Sequence, residues 1–385
     1  MTDQVCGQRW DIFCRVVDNL GDIGVCWRLA RDLTERYRVS VRLWVDEIQA
    51  LQRICPQVQT LPARAGGVDI RRWGQDFTGI EVADCVIEAF ACELPPAYLA
   101  AMAERQPAPL WINLEYLTAE SWVDGCHGLA SPHPVLPLVK HFFFPGFTEN
   151  TGGLLREREI LRQRQSFRSD PCHRIMFLSS LGASVPVGET LIVSLFAYTQ
   201  PYLPVLLQSW SQMCRPVLLL VPEGPILPDI AAFFGKRALQ AGDVINRQAL
   251  TVVIVPFMPQ SDYDRLLWCC DINFVRGEDS FVRAQWAGAP FVWQIYVQQD
   301  EVHLIKLRAF LELFCADLEE GAARALEHFW LSWNSAAEDD LAERWADYLS
   351  FLPVLKKHGN AWTEKLSVND DLTTNLVKFS ISGLK

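Results

Sequence analysis

At 385 residues the chain is too long for one ordinary hydrophobic core and suits two domains. Half of its residues are hydrophobic and 21% are charged, the balance of an ordinary globular protein. A formal net charge of −11 argues against nucleic acid as the main partner, and no apolar run is long enough to span a bilayer. The first residues, Met1 to Gln4, carry no basic segment leading into an apolar stretch, so no secretory signal is expected and a cytoplasmic location follows. Among the 12 cysteines there is no C-x-x-C pair, and Cys14, Cys26, Cys85, Cys269 and Cys270 lie in apolar runs, as reduced structural thiols do. Trp44, Trp111 and Trp268 fall in strand or helix patterns and read as core.

Taken in chain order, residues 10–17, 41–45, 84–90, 111–116 and 141–144 are short runs rich in Val, Ile, Phe and Trp between turn residues, and read as buried strands. Residues 25–37 predict a helix with Val25, Trp27, Leu29, Leu33 and Tyr37 on one face and charged residues on the other. Strand alternating with helix implies a largely parallel sheet covered on both faces. Residues 155–167 read as a charged connecting helix, and the break at Arg168 to Pro171 marks the boundary between a first domain (1–167) and a second (172–359), with 360–385 expected to pack back on the first. In the second domain, 174–178, 217–221, 251–257, 272–275 and 291–296 read as strands. Helices are expected at 188–198, 229–239 and 262–269, followed by helices over 301–314 and 321–352.

The first chemical signal is the turn V-V-D-N-L-G-D-I-G after the opening strand. Asp18 and Asp22 sit where an open α/β sheet binds its ligands, outside the carboxyl ends of the strands. Gly21 and Gly24 allow positive φ and close approach of a ligand to the backbone, beside the free N–H groups of a helix start. The same residues also make an ordinary turn, with Asp22 as a helix cap. The pattern lacks G-x-G-x-x-G and G-K-[ST], so it is neither a dinucleotide fingerprint nor a Walker loop.

A second signal is R-G-E-D-S at 276–280, a strand end with charge, glycine and a helix start. Ser280 and the N–H groups there can hold a diphosphate, Arg276 supplies charge, and Glu278 can accept hydrogen bonds from sugar hydroxyls. An ordinary cap at Asp279 or Ser280 is the plainer alternative. Phe257 can stack on a base and Gln260 can bond its edge, while Phe196 and Tyr198 close an expected helix. Asp262-Tyr263-Asp264 has the D-x-D form of metal-dependent glycosyltransferases, but it opens a helix, where acids favour the dipole. His127 and His133 have no ligand partner at helical spacing.

The stretch W-D-I-F-C-R-V-V-D-N-L-G-D-I-G-V-C-W-R-L-A-R-D-L resembles the opening of the EarP family, the protein-arginine rhamnosyltransferases of elongation factor P. N-L-E-Y-L (113–117), F-F-F-P-G-F-T (142–148), T-G-G-L-L (151–155), R-G-E-D-S-F-V-R-A-Q-W (276–286) and P-F-V-W-Q-I-Y (290–296) extend the likeness across nearly the whole chain. The resemblance implies a GT-B architecture of two Rossmann-like domains facing each other across a cleft. It implies inverting transfer of L-rhamnose from dTDP-β-L-rhamnose to one arginine of elongation factor P, without metal or cofactor. The family's catalytic carboxylates fall on Asp18, Asp22 and Glu278. Its donor-binding residues fall on Phe196, Tyr198, Phe257, Gln260, Arg276, Asp279 and Ser280, and Leu20 stands where an aromatic residue is frequent. A guanidinium is a poor nucleophile, so Asp22 is expected as general base, Asp18 as the orienting acid, and Glu278 as support for donor or transition state. Two other readings remain open: a small or lipid acceptor, and a non-catalytic nucleotide-binding partner of a translation factor.

Overall fold

The computed structural model describes residues 2–17, 20–74, 77, 79–184, 189–297, 301–335 and 340–383. The chain forms two compact units, Met1–Arg158 with Leu366–Lys385, and Glu159–Lys365.

In the first unit α1 (Thr2–Val5) precedes β1 (Arg9–Cys14), α2 (Gly21–Tyr37), β2 (Ser40–Val45) and α3 (Ile48–Ile54). Then come β3 (Ala63–Ala65), β4 (Val68–Arg72), β5 (Cys85–Ala89), α4 (Pro96–Glu104), β6 (Leu110–Leu114), β7 (Ala130–Pro132) and β8 (Val139–Phe143). Among the described residues these strands make one eight-stranded sheet in the order β3-β4-β2-β1-β5-β6-β8-β7. The pairs from β4 through β8 are parallel, and β3 and β7 are antiparallel edges. β1 and β5 lie centrally, and every residue in them except Arg9 is buried, as in strands covered on both faces. Each carries one buried acid, Glu88 in β5 and Asp11 in β1, whose carboxylate takes Nε and Nη2 of Arg42 at 2.6 Å each and the hydroxyl of Tyr98. Sequential connections reverse direction between β1 and β5, so the switch point lies at the carboxyl ends of those two strands.

In the second unit α5 (Ile160–Ser169) and α6 (Pro171–Ser180) lead to β9 (Leu191–Leu195), α7 (Leu203–Ser211), β10 (Val217–Pro222) and α8 (Leu227–Phe233). The antiparallel pair β11 (Val244–Arg247) and β12 (Leu250–Val255) follows, then α9 (Gln260–Cys269), β13 (Ile272–Arg276), α10 (Asp279–Ala287) and β14 (Phe291–Gln294). Helices α11 (Val302–Cys315), α12 (Glu320–Asn334), α13 (Leu341–Ser350) and α14 (Leu352–Ser367) complete it. The sheet order is β11-β12-β10-β9-β13-β14, again doubly wound, with its switch point between β9 and β13. The surplus of aromatic residues goes into the packing of these helices on β13 and β14. Phe281 stacks on Trp293 with centroids 3.8 Å apart, and Phe310 stacks on Trp330 at 5.9 Å. The last helix, α15 (Leu372–Gly383), returns to the first unit, where the Tyr37 hydroxyl lies 2.9 Å from that of Thr374 and Arg36 pairs with Asp371 at 2.7 Å.

Several sequence expectations change. Residues 174–178, expected as a strand, lie in α6, because Asp170 caps it by accepting from the Cys172 N–H at 2.8 Å and Pro171 opens its first turn. Within the expected helix over 188–198, whose first residue lies outside the described residues, Leu191–Leu195 form β9, where β-branched Ile192 and Val193 suit a buried strand. The charged helix at the boundary begins at Ile160 and belongs with the second unit rather than the first, as does the chain up to Lys365. The expected helix 321–352 is broken into α12 and α13. Trp44, Trp111 and Trp268 are buried, and the five cysteines placed in apolar runs are buried and form no disulfide.

Candidate active site

In the first unit, Asp22 lies just after β1, in the opening turn of α2. The helix begins four residues before the expected start. Leu20 is its N-cap and Gly21 its first residue, and the Gly24 N–H donates to the Leu20 carbonyl at 3.0 Å. Gly21 and Gly24 are therefore helical residues and do not supply a positive-φ turn, and Asp22 is not the cap. Its carboxylate, 2% exposed, accepts the Val17 N–H at 2.8 Å. A negative charge in this first turn is favoured by the helix dipole. The Cys14 thiol is pushed well above its ordinary value, first by its hydrogen bond with Cys26 and by burial, then by the nearby carboxylates of Asp22 and Asp46. Asp18 lies outside the described residues.

On the neighbouring strand, Glu88 is buried near the end of β5. It accepts Nε1 of Trp111 at 3.0 Å, the Glu93 N–H at 3.1 Å and Lys140 Nζ at 2.9 Å. That acid has a structural duty, as do the imidazoles of His127 and His133, whose Nδ1 atoms accept backbone N–H groups.

In the second unit the expected donor residues gather at one edge of the sheet, the carboxyl ends of β9, β12 and β13. Phe196 and Tyr198 follow a strand, not a helix, and this is what brings them to the switch point. Between them sits Arg276, the last residue of β13 and 6% exposed, with Cζ 4.5 Å from each ring centroid. This is a double cation–π arrangement, and it aligns the guanidinium plane. Gly277 has φ of +64°, the left-handed turn that carries the chain from strand to helix, and its carbonyl accepts Nε1 of Trp293 at 2.8 Å. Glu278 is then the half-buried N-cap residue of α10, with no side-chain cap bond.

Neither Asp279 nor Ser280 is a helix cap. The Asp279 carboxylate accepts Nε2 of Gln260 at 3.1 Å. The Ser280 hydroxyl accepts the Arg276 N–H at 3.1 Å and donates to the Arg276 carbonyl. Phe257 is half-buried, and its N–H donates to Glu223 at 3.2 Å. The acids of the D-x-D element part company. Asp262 is at the surface beside Arg265, whereas Asp264 forms a buried two-point pair with Arg283 on α10. Among the described residues no cluster of three His, Cys, Asp or Glu side chains could hold a metal ion.

Sequence reasoning missed three supports of this edge. Gln294 ends β14 and accepts the Tyr198 N–H at 2.7 Å; Tyr296 meets the Tyr198 ring edge-on at 5.7 Å; and Tyr263 meets Phe196 edge-on at 5.6 Å, its hydroxyl pushed up by burial. Gln294 and Tyr296 lie in the quoted P-F-V-W-Q-I-Y motif, and their strand-end position is the signal that could have singled them out.

Two doubly wound units, one presenting a buried carboxylate at its switch point and the other a cation between aromatic rings, make up a GT-B architecture. An Acinetobacter baumannii MurG structure shares this fold at a TM-score of 0.50, with 12% identity, covering 98% of this chain and 99% of that one. Residues 10–381 match the family described as "Elongation-Factor P (EF-P) rhamnosyltransferase EarP", and the chain belongs to it. A protein-arginine rhamnosyltransferase of Pseudomonas aeruginosa is 51% identical over 372 residues, 96% of this chain and 98% of that protein. A solved structure concerned with EarP-mediated arginine glycosylation of translation elongation factor EF-P is similar at a TM-score of 0.69 and 35% identity, covering 97% of this chain and 98% of that one. Among the described residues no helix is long and apolar enough to cross a membrane.

Proposed function

We propose that the chain moves L-rhamnose from dTDP-β-L-rhamnose to a guanidino nitrogen of one arginine in elongation factor P, with inversion at the sugar carbon and without a metal. The observation that carries the donor half is Arg276, a cation fixed between Phe196 and Tyr198 at the switch point of the second sheet. A diphosphate needs positive charge and N–H donors at that place, and the start of α10 supplies the donors. Kinship to arginine rhamnosyltransferases supports the acceptor half. The net charge of −11 suits an arginine-bearing partner. The work takes place in the cytoplasm, where a translation factor is met.

In the reaction, the C–O bond between the sugar and the diphosphate breaks as the guanidino nitrogen forms its bond to the same carbon from the opposite side. A guanidinium holds its protons too tightly to lose one beforehand. The proton therefore leaves as the C–N bond forms, to the carboxylate of Asp22, and the electron pair of the broken bond stays on dTDP. Asp18 orients the guanidinium, and Glu278 holds the donor or offsets positive charge growing on the sugar. Arg276 and the first N–H groups of α10 stabilise the departing diphosphate. Phe257 and Gln260 receive the base, and Gly21 lines the approach to Asp22.

The test is intact-mass analysis of elongation factor P after incubation with this chain and dTDP-rhamnose. One deoxyhexose should be gained, and none when the acceptor arginine is Lys. Asp22→Asn should abolish transfer while dTDP binding persists. Transfer at the wild-type rate by Asp22→Asn removes the general-base assignment, and no mass gain with this donor removes the substrate assignment.

A further inference from the structure

The opposite edge of the second sheet, where β13 and β14 begin, holds a cavity of ≈ 380 Å³ that the donor chemistry does not use. Its walls include Phe167, Arg168, Arg174, Trp268, Asp271 and Lys356. We propose that it is a second anion site of this protein, taking a phosphate group, either free phosphate or the phosphate of a small ester. The inference does not depend on the proposed rhamnosyl transfer.

Charge is the first argument. In a chain of net charge −11, three cations here meet two carboxylates, and both acids are already engaged. Asp170 caps α6 through the Cys172 N–H. Asp271 accepts the Ile192 N–H at 3.0 Å and Lys356 Nζ at 2.7 Å, and lies 3.9 Å from Arg174 Nη2. Arg164, one turn before Arg168 on α5, adds a further cation, with Nη1 on the Trp286 carbonyl at 2.8 Å.

Crowding of guanidinium groups is the second. Arg168 spends Nε on the Trp268 carbonyl at 3.3 Å. Its guanidinium is pushed down to about 10, first by burial and then by the charges of Arg164 and Arg174, the signature of cations crowded together. An oxyanion bound among these guanidinium groups would relieve the repulsion. The volume is in the range of small-molecule sites, and Phe167 and Trp268, 5.7 Å apart, give it an aromatic wall.

Asp271 precedes β13, whose last residue is Arg276; Gly288 and Pro290 in the cavity wall follow α10, whose first turn holds Asp279 and Ser280. One strand and one helix thus run from the cavity to the donor edge.

Equilibrium dialysis with radiolabelled inorganic phosphate at low ionic strength tests the proposal, on wild type, on Arg168→Gln with Arg174→Gln, and on Arg276→Gln as a control for the donor edge. Thermal melts establish that each variant is folded, and single substitutions replace the double one if it is not. Saturable binding is expected in wild type and in Arg276→Gln, weakened about tenfold or more in the cavity variant. Glycerol 3-phosphate, which lacks the base that the donor edge would receive, separates the sources: binding tighter than phosphate that the cavity substitutions weaken identifies an ester, equal or weaker binding identifies free phosphate. Binding that is absent in wild type, unaffected by the cavity substitutions, or lost in Arg276→Gln overturns the proposal.

Discussion

Asp264→Ala would strip a buried guanidinium of its two-point carboxylate pairing, and the penalty follows from the geometry. The side chains of Arg283 and Asp264 are 1% and 5% exposed, and they meet through Nε–Oδ1 at 2.8 Å and Nη2–Oδ2 at 2.9 Å. Hydrogen bonds to charged groups contribute ~1.5–3 kcal/mol each, so two amount to about 3–6 kcal/mol. Breaking a buried pair by removing one partner costs about 3–5 kcal/mol, so the two routes agree. In a unit of this size 1 kcal/mol moves the melting midpoint by roughly 2–4 °C, which places the loss at about 6–20 °C. Calorimetry resolving the second unit's transition measures it. Asp264→Leu with Arg283→Met, which removes both charges and keeps the volume, should recover most of the loss. A drop under about 3 °C refutes the ion-pair account, judged by the same scale. So does a wild-type midpoint raised by Mn²⁺ in a way that Asp264→Ala abolishes, since Asp264 would then be a metal ligand.

Asp32, 4% exposed on α2, is pushed up to about 6, chiefly by burial, with Asp371 and Glu157 adding to the effect. The folded state therefore binds its proton more tightly than the unfolded chain, and stability falls as pH rises from about 4 to 6 and stays lower above that. Asp32→Asn should flatten this slope and raise stability at pH 8 by about 1–3 kcal/mol in urea titrations, and a variant no more stable there contradicts the account. Thiol titration of the native protein with a disulfide reagent should label Cys6 and Cys214 first, with Cys172 slower because Asp170 raises it, and Cys14, Cys26 and Cys85 only on unfolding. Gly153 has φ of +75°, and a Cβ there would come 2.5 Å from the Asp370 carbonyl. Gly153→Ala should thus destabilise the first unit by at least ~2 kcal/mol in denaturant titrations, by loosening the return of α15.

The fold class was legible because both sheets are built mostly from short apolar runs between turns, the pattern of parallel strands covered on both faces. Where the reading inverted two elements, periodicity was ambiguous. R-I-M-F-L at 174–178 is apolar enough for a strand, and the stop read at Asp170-Pro171 is in fact the start signal of α6. T-L-I-V-S-L-F was read as helix although its β-branched residues point the other way. The acid–glycine turn was placed correctly after β1, but its glycines proved helical, because nothing local distinguishes a loop glycine from one in a first helical turn. The grip on Arg276 by Phe196 and Tyr198, and the Asp264–Arg283 pair, join residues far apart or on different helices. Only the sheet order brings them together.

That sheet order also sorts the donor-edge residues by what their side chains can still do. Ser280 has its hydroxyl tied to the backbone of Arg276, and Asp279 is tied to Gln260. These bonds fix the left-handed turn at Gly277 and aim the first N–H groups of α10, so the ordering entropy is met during folding and not again on binding. Under the proposed function, a hydroxyl used in this way would act on a diphosphate through the backbone it holds, not by direct contact. Ser280 and Arg276 therefore form one device, in which the serine sets the pose of the strand end and the arginine, clamped by two rings, presents the charge.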